Sequence, residues 1–177
     1  IVDSLGASSG YGLLMDTLAE LKNSGKSIEE VRDFAEERKL NVHHWFFSSD
    51  LTSFIRGGRI SKASGVLGTA LKICPLMNVD NTGHLIPREK IRTKKRAIAQ
   101  MVKTCMEHID DGAAYTGKVC MSQSACRADA EAVADALVEQ MPQLAGKIDI
   151  NDIGTVIGSH TGPGTVALFF MGDARVD

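Results

Sequence analysis

Apolar residues along this chain recur at two periods, and the switches between them predict alternating helices and strands. Leu13, Leu14, Leu18 and Leu21 repeat at helical spacing. They predict a helix that Ser8 or Ser9 is placed to cap and that Asn23-Ser24-Gly25 stops. Ser27-Ile28-Glu29-Glu30 is a capping box, and Ile28, Val31, Phe34 and Ala35 carry the next helix to about Lys39. Val42-His43-His44-Trp45-Phe46-Phe47 is β-branched and aromatic-rich, hence a strand. Further on, the pattern predicts a short helix through Leu51, Phe54 and Ile55, capped from Ser48-Ser49-Asp50. A small-residue helix over 63–71 follows. Next come a strand at Ile73–Val79, a turn at Asp80-Asn81-Thr82-Gly83 and an edge strand at His84–Pro87. Long helices are expected over Lys90–His108 and Cys126–Met141. Strands are expected at Val119–Met121, Ile148–Ile150 and Thr165–Phe170, the last entered through a loop spanning 154–164. Ile1-Val2-Asp3-Ser4 reads as the end of a buried strand, so the start of its domain is expected to be missing.

Composition narrows the class. The 177 residues are 44% hydrophobic and 24% charged, with 5% aromatics and 17 glycines, a balance that suits an α/β protein with tight strand–helix turns. No apolar run reaches the ~20 residues of a membrane helix. The four cysteines (Cys74, Cys105, Cys120 and Cys126) show no zinc or redox spacing, and free thiols in a reducing cytoplasm are expected. His43 and His44 fall on opposite faces of their strand and so cannot jointly hold one metal.

Charge is unevenly spread. The net charge is -2, yet residues 56–103 hold eleven Lys/Arg against Asp80 and Glu89. The remainder carries nine basic and twenty acidic groups. A basic middle between acidic flanks fits a surface that meets an anionic partner. Interleaved aromatics and nucleic-acid motifs are missing from it, so no nucleic-acid partner is expected.

Two loops carry the candidate chemistry. Arg56-Gly57-Gly58-Arg59 places two planar cations around a pair of glycines that turn the chain, so the two arginines can point in different directions. Ser159-His160-Thr161-Gly162-Pro163-Gly164 places an imidazole and two hydroxyls on a tight turn beside an apolar strand. Together they could bind an anionic head while the apolar helix and strands supply a slot. A structural role for both loops is the other reading, and a third is an enzyme for a small acyl or anionic substrate with His160 as acid or base. There is no nucleophile elbow and no P-loop.

At these loops the sequence resembles the DegV family. The likeness rests on Val2-Asp3-Ser4 with Ser9-Gly10-Tyr11-Gly12, and on Asp50-Leu51 with Arg56-Gly57-Gly58-Arg59-Ile60-Ser61. It continues through Leu71-Lys72-Ile73-Cys74-Pro75, Lys90-Ile91-Arg92-Thr93 and Ile157–Gly164, departing mildly at Cys74, where Lys is usual. The resemblance implies a two-domain α/β DegV-like fold. Residues 1–50 would be the rear part of a parallel-sheet N-terminal domain, and 51–177 a complete α/β C-terminal lipid-binding domain. It implies a non-catalytic, cytoplasmic, bacterial protein that holds a fatty acid such as palmitate, stearate or oleate, with no cofactor or metal. A separate kinase subunit would phosphorylate the presented acid. Arg56, His160 and Thr161 would surround the carboxylate, and Arg59 and Arg92 would face the kinase subunit.

Overall fold

A computed structural model describes residues 1–60 and 73–177. The expected small-residue helix, and Ser61, lie outside these residues. Six strands form one sheet in the order β3-β2-β1-β6-β4-β5. They are β1 (Val42–Ser48), β2 (Leu76–Val79), β3 (Leu85–Glu89), β4 (Val119–Gln123), β5 (Ile148–Asp152) and β6 (Thr165–Met171). Neighbours are antiparallel except β4 and β5, which are parallel. β1 lies between β2 and β6, so the strand of residues 1–50 shares one sheet with the strands that follow it. All seven β1 residues are buried, as expected of a central strand covered on both faces.

Register divides the side chains cleanly. Phe46 faces Ala167 and His44 faces Phe169 across the β1–β6 ladder, and Met77 and Val79 continue the same face. Against that face pack α1 (Ser8–Asn23), through Leu13 and Leu14, and α3 (Thr52–Arg56), through Phe54. The opposite face carries Trp45, Phe47, Leu168 and Phe170 under α4 (Lys94–His108) and α5 (Arg127–Gln140). Between α1 and β1, α2 (Ile28–Arg38) starts on the expected capping box. The Ser27 hydroxyl accepts from Glu30 N–H, and the Glu30 carboxylate accepts from Ser27 N–H. The 80–83 turn joins β2 to β3, which stands at the sheet edge with Pro87 in it.

The structure differs from the sequence reading in several places. Ile1–Ser4 is not a strand; Ile1 is fully exposed, and Asp3 Oδ1 accepts Leu5 N–H at 3.0 Å to begin a turn. Neither Ser8 nor Ser9 caps α1. Ala7 holds the N-cap position, and both serine hydroxyls bond Ser122 Oγ of β4, at 3.1 and 2.7 Å. Helix α4 starts at Lys94 because Thr93 caps it, while Arg92 bridges to Ile73 in extended backbone. The segment expected as a loop over 154–164 contains a helix, α6 (Thr155–Thr161). Its β-branched Thr155, Val156, Ile157 and Thr161 disfavour a helix by propensity, and packing against α3 overrides them.

Candidate functional site

A cavity of about 230 Å³ lies between the α1/α3 face of the sheet and α6. Its floor is the β1/β6 register already described, from Thr165 through Phe46 and Ala167 to His44 and Phe169. Phe54 of α3 and Val156 and Ile157 of α6 form its apolar sides, and Val79 and Leu85 close one flank. Arg59, His160 and Thr161 line the α3/α6 end, and Ser8 and His44 line the end at the start of α1.

Glycines bring the two candidate loops together. A Cβ on Gly57 would fall against Nδ1 of His160, and one on Gly162 would stand 2.6 Å from Ser53 Oγ. One on Gly164 would collide with Ser49 Oγ. Without these side chains α3 and α6 close on each other. Gly57 N–H donates to Ser53 O at 2.8 Å and ends α3. Gly58, at φ +68°, then reverses the chain, so that Arg59 N–H reaches Phe54 O at 2.9 Å.

After this reversal both arginines are exposed, and of the two only Arg59 is among the residues lining the cavity. Arg59, expected to face a partner, lines the cavity, its Nη1 donating to Gly57 O at 2.5 Å. Arg56, expected at the carboxylate, is exposed at the end of α3 and lines no part of the cavity. Its neighbour Asp50 is held below the usual carboxylate range, first by hydrogen bonds from Thr52 and also by the charge of Arg56. Arg92 lies elsewhere, with Lys90, Arg96 and Lys103 along a groove at the start of α4.

His160 and Thr161 sit in the last turn of α6, ended by Gly162 at φ +69°. Thr161 is 8% exposed, and its Oγ1 is buried without a hydrogen-bond partner among the described residues. A buried hydroxyl left unpaired costs about 1–3 kcal/mol, so its presence points to a polar group that completes it. Ser159 Oγ instead donates to Val156 O at 2.7 Å and is turned back on its own helix.

Sequence reasoning passed over His44, whose pattern gave only a strand residue. Ala7 N–H donates to its Nε2 at 3.2 Å, which leaves Nδ1–H to donate to Val42 O at 2.9 Å. Complete burial, with the nearby charge of Arg175, pushes its pKa down to about 3, so the ring is neutral. Gly6 and Gly10 pack on this imidazole so closely that a Cβ on either would meet its ring atoms. His44 thus clamps the start of α1 onto the floor of the cavity.

A second polar cluster, His43, His108 and Asp173, lies on the opposite face with its ligand-type atoms within 4.8 Å of one another. Trp45 Nε1–H donates to Nδ1 of His43 at 3.2 Å, so His43 Nε2 carries the proton that goes to Asp173 at 2.9 Å. A cation at Nε2 would push that proton onto Nδ1, against the indole N–H. The cluster is therefore a hydrogen-bonded clasp on the C-terminal segment.

The mixed sheet thus carries on one face an apolar cavity with Arg59, His160 and Thr161 at one end. The family model described as "Uncharacterised protein, DegV family" matches residues 1–173, and the chain belongs to the DegV family. A DegV domain-containing protein of Clostridium perfringens is 37% identical over 175 residues, 99% of this chain and 59% of that protein. A DegV domain-containing protein of Streptomyces coelicolor is 30% identical over 168 residues, 95% of this chain and 58% of the relative. The chain thus spans somewhat under three fifths of these relatives.

Solved structures agree on the fold. The fatty acid binding DegV family protein of Streptococcus agalactiae superposes with TM-score 0.83 at 22% identity, over 98% of this chain and 59% of that one. The fatty acid kinase (Fak) B3 protein of Streptococcus pneumoniae, loaded with linoleic acid, gives 0.83 at 22%, over 97% and 59%. A DegV family protein of Thermus thermophilus, described by its fatty acid binding, gives 0.80 at 26%, over 97% and 60%. No helix among the described residues is long and apolar enough to cross a membrane.

Proposed function

We propose that this chain binds a long-chain fatty acid, the carboxylate at the Thr161, His160 and Arg59 end and the tail along Phe54, Phe46 and Phe169. The observation that carries this reading is the buried, unpartnered Thr161 Oγ1 at the α3/α6 end of a largely apolar cavity. A carboxylate accepts from a hydroxyl and from a guanidinium, and the close approach of α3 and α6 that Gly57 and Gly162 allow supports a shared head-group site. The fatty acid binding of the related DegV proteins supports the same class of ligand.

The bound acid is presented to a separate kinase subunit, without phosphoryl chemistry in this chain. The likeness to the Fak B3 protein supports this step, and the groove bearing Arg92, Arg96 and Lys103 is the surface proposed to meet that subunit. Mass spectrometry of lipid extracted from the purified protein tests the first part. An acyl chain recovered from the wild type and lost from Thr161→Val with His160→Ala supports it. Repeated absence of any acyl chain, together with no binding of added palmitate, refutes it.

A further inference from the structure

We propose that Ala7 and Leu85 form the wall that stops the methyl end of the acyl chain and so set the longest chain accepted. This inference rests on the fatty-acid reading and adds a determinant of specificity to it.

A second cavity of about 280 Å³ lies directly beyond the first, and the two share Ala7, Val79 and Leu85 as a partition. Its character is different. Asp3 and Thr82 line it, with Leu5 and the backbone of Gly6 and Gly83, and Asp80 lies behind Thr82, its Oδ1 accepting the Thr82 hydroxyl at 2.8 Å. Arg175 is close but buried, its terminal nitrogens bonded to the carbonyls of Leu5, Val79 and Asp80. A carboxylate would meet Asp3 on that side and nothing cationic in the lining, whereas the far end of the first cavity offers Arg59, His160 and Thr161. The head therefore belongs at α6, and the tail runs toward the partition.

The β6 part of the path, from Thr165 to Phe169, is four residues at ~3.4 Å each, or about 14 Å, and the head group at Thr161 and His160 lies beyond its Thr165 end. Ala7 and Leu85 are each held in place beside Val79. Ala7 is pinned by its N–H on the His44 ring, and Leu85 by the pairing of β3 with Val79. Side-chain bulk at these two positions, with Val79 between the same cavities, decides whether a tail stops there or breaks through toward Asp3 and Thr82.

The test is calorimetric binding of dodecanoate, palmitate, stearate and arachidate to the full chain and to two variants that change the wall in opposite senses. Ala7→Leu keeps the backbone N–H and thickens the partition, and Leu85→Ala thins it. Excluding the last two carbons of a chain costs about tenfold in affinity. Ala7→Leu is therefore expected to lower the stearate-to-dodecanoate affinity ratio about tenfold, and Leu85→Ala to raise the arachidate-to-palmitate ratio. Ratios unchanged in both variants, or all acids weakened alike, would overturn the inference while leaving the fatty-acid reading intact. Failure of the wild type to bind any of the four acids would overturn that reading, and this inference with it.

Discussion

Gly57 and His160 approach so closely that the space a Cβ would occupy on Gly57 is filled by Nδ1 of the imidazole. Gly57 has helical dihedrals, φ -76° and ψ -1°, so alanine is tolerated there by the backbone dihedrals and opposed chiefly by the ring, with Ser53 O a tight 3.1 Å away. Gly57→Ala should therefore displace His160, destabilise the fold by about 1–3 kcal/mol and weaken fatty-acid binding. Combining it with His160→Ala removes the collision, and the two changes should then be strongly non-additive. Urea unfolding of the two single variants and the double variant measures the coupling. Additive losses would show that the ring has somewhere else to go.

The Thr161 hydroxyl makes the opposite kind of prediction, because it has no partner within the described chain. Thr161→Val keeps the shape and removes the unpaired oxygen. Stability without ligand should be unchanged or higher by about 1 kcal/mol, while affinity for palmitate falls about tenfold. Thermal unfolding with and without palmitate separates the two effects. A loss of ligand-free stability instead would mean that the hydroxyl is already satisfied within the protein.

Local signals explain what could be read from the chain before the structure. The Ser27–Glu30 capping box, the Leu13/Leu14 face of α1 and the Pro87 edge strand are set by neighbouring residues, and each is where the pattern puts it. The cavity is different, because it is built by register. Whether His44 or His43 faces it depends on β1 pairing with β6 at Phe46–Ala167, a contact between segments about 120 residues apart. With every residue of β1 buried, alternation could not reveal the two faces. α6 was hidden for another reason. Its β-branched residues and glycine have weak helix propensity, and only contact with α3 makes the segment helical. The course of the chain between Arg56 and Arg59 was not legible in the same way, since it follows from one left-handed residue, Gly58.

The two arginines yield a third prediction. Arg59→Ala should weaken fatty-acid binding, because Arg59 is among the residues lining the cavity, while Arg56→Ala should leave it within about twofold, since Arg56, equally exposed, lies outside that lining at the end of α3. Arg92→Ala should leave lipid binding equally untouched and lower the rate at which a cognate kinase subunit phosphorylates bound palmitate. Calorimetry and a coupled phosphorylation assay read the two steps separately. Equal effects of Arg56→Ala and Arg59→Ala on binding would show that both side chains reach the head group.

Acid should unfold this protein partly through His44. Its folded pKa is about 3 against an ordinary value of 6.5, so between these pH values the unfolded chain holds a proton that the folded chain does not. Stability therefore has this contribution in full above pH 6.5 and loses it as pH falls toward 3. At pH 4.5, two units below 6.5, the loss attributable to this one ring is about 2.8 kcal/mol, at about 1.4 kcal/mol per pH unit. His43 works in the same direction, since burial pushes its pKa down as well, and the lowered carboxyls of Asp50 and Asp80 add losses at lower pH. The contribution of His44 is isolated by comparing the wild type with His44→Asn in urea at pH 7 and pH 4.5. The variant should be less stable at pH 7, having lost the Ala7 and Val42 hydrogen bonds, yet fall less steeply on acidification, by close to one proton. An identical slope in the two proteins would mean that the ring is protonated in the folded state and that α1 is held to the sheet by something other than the Ala7–His44 bond.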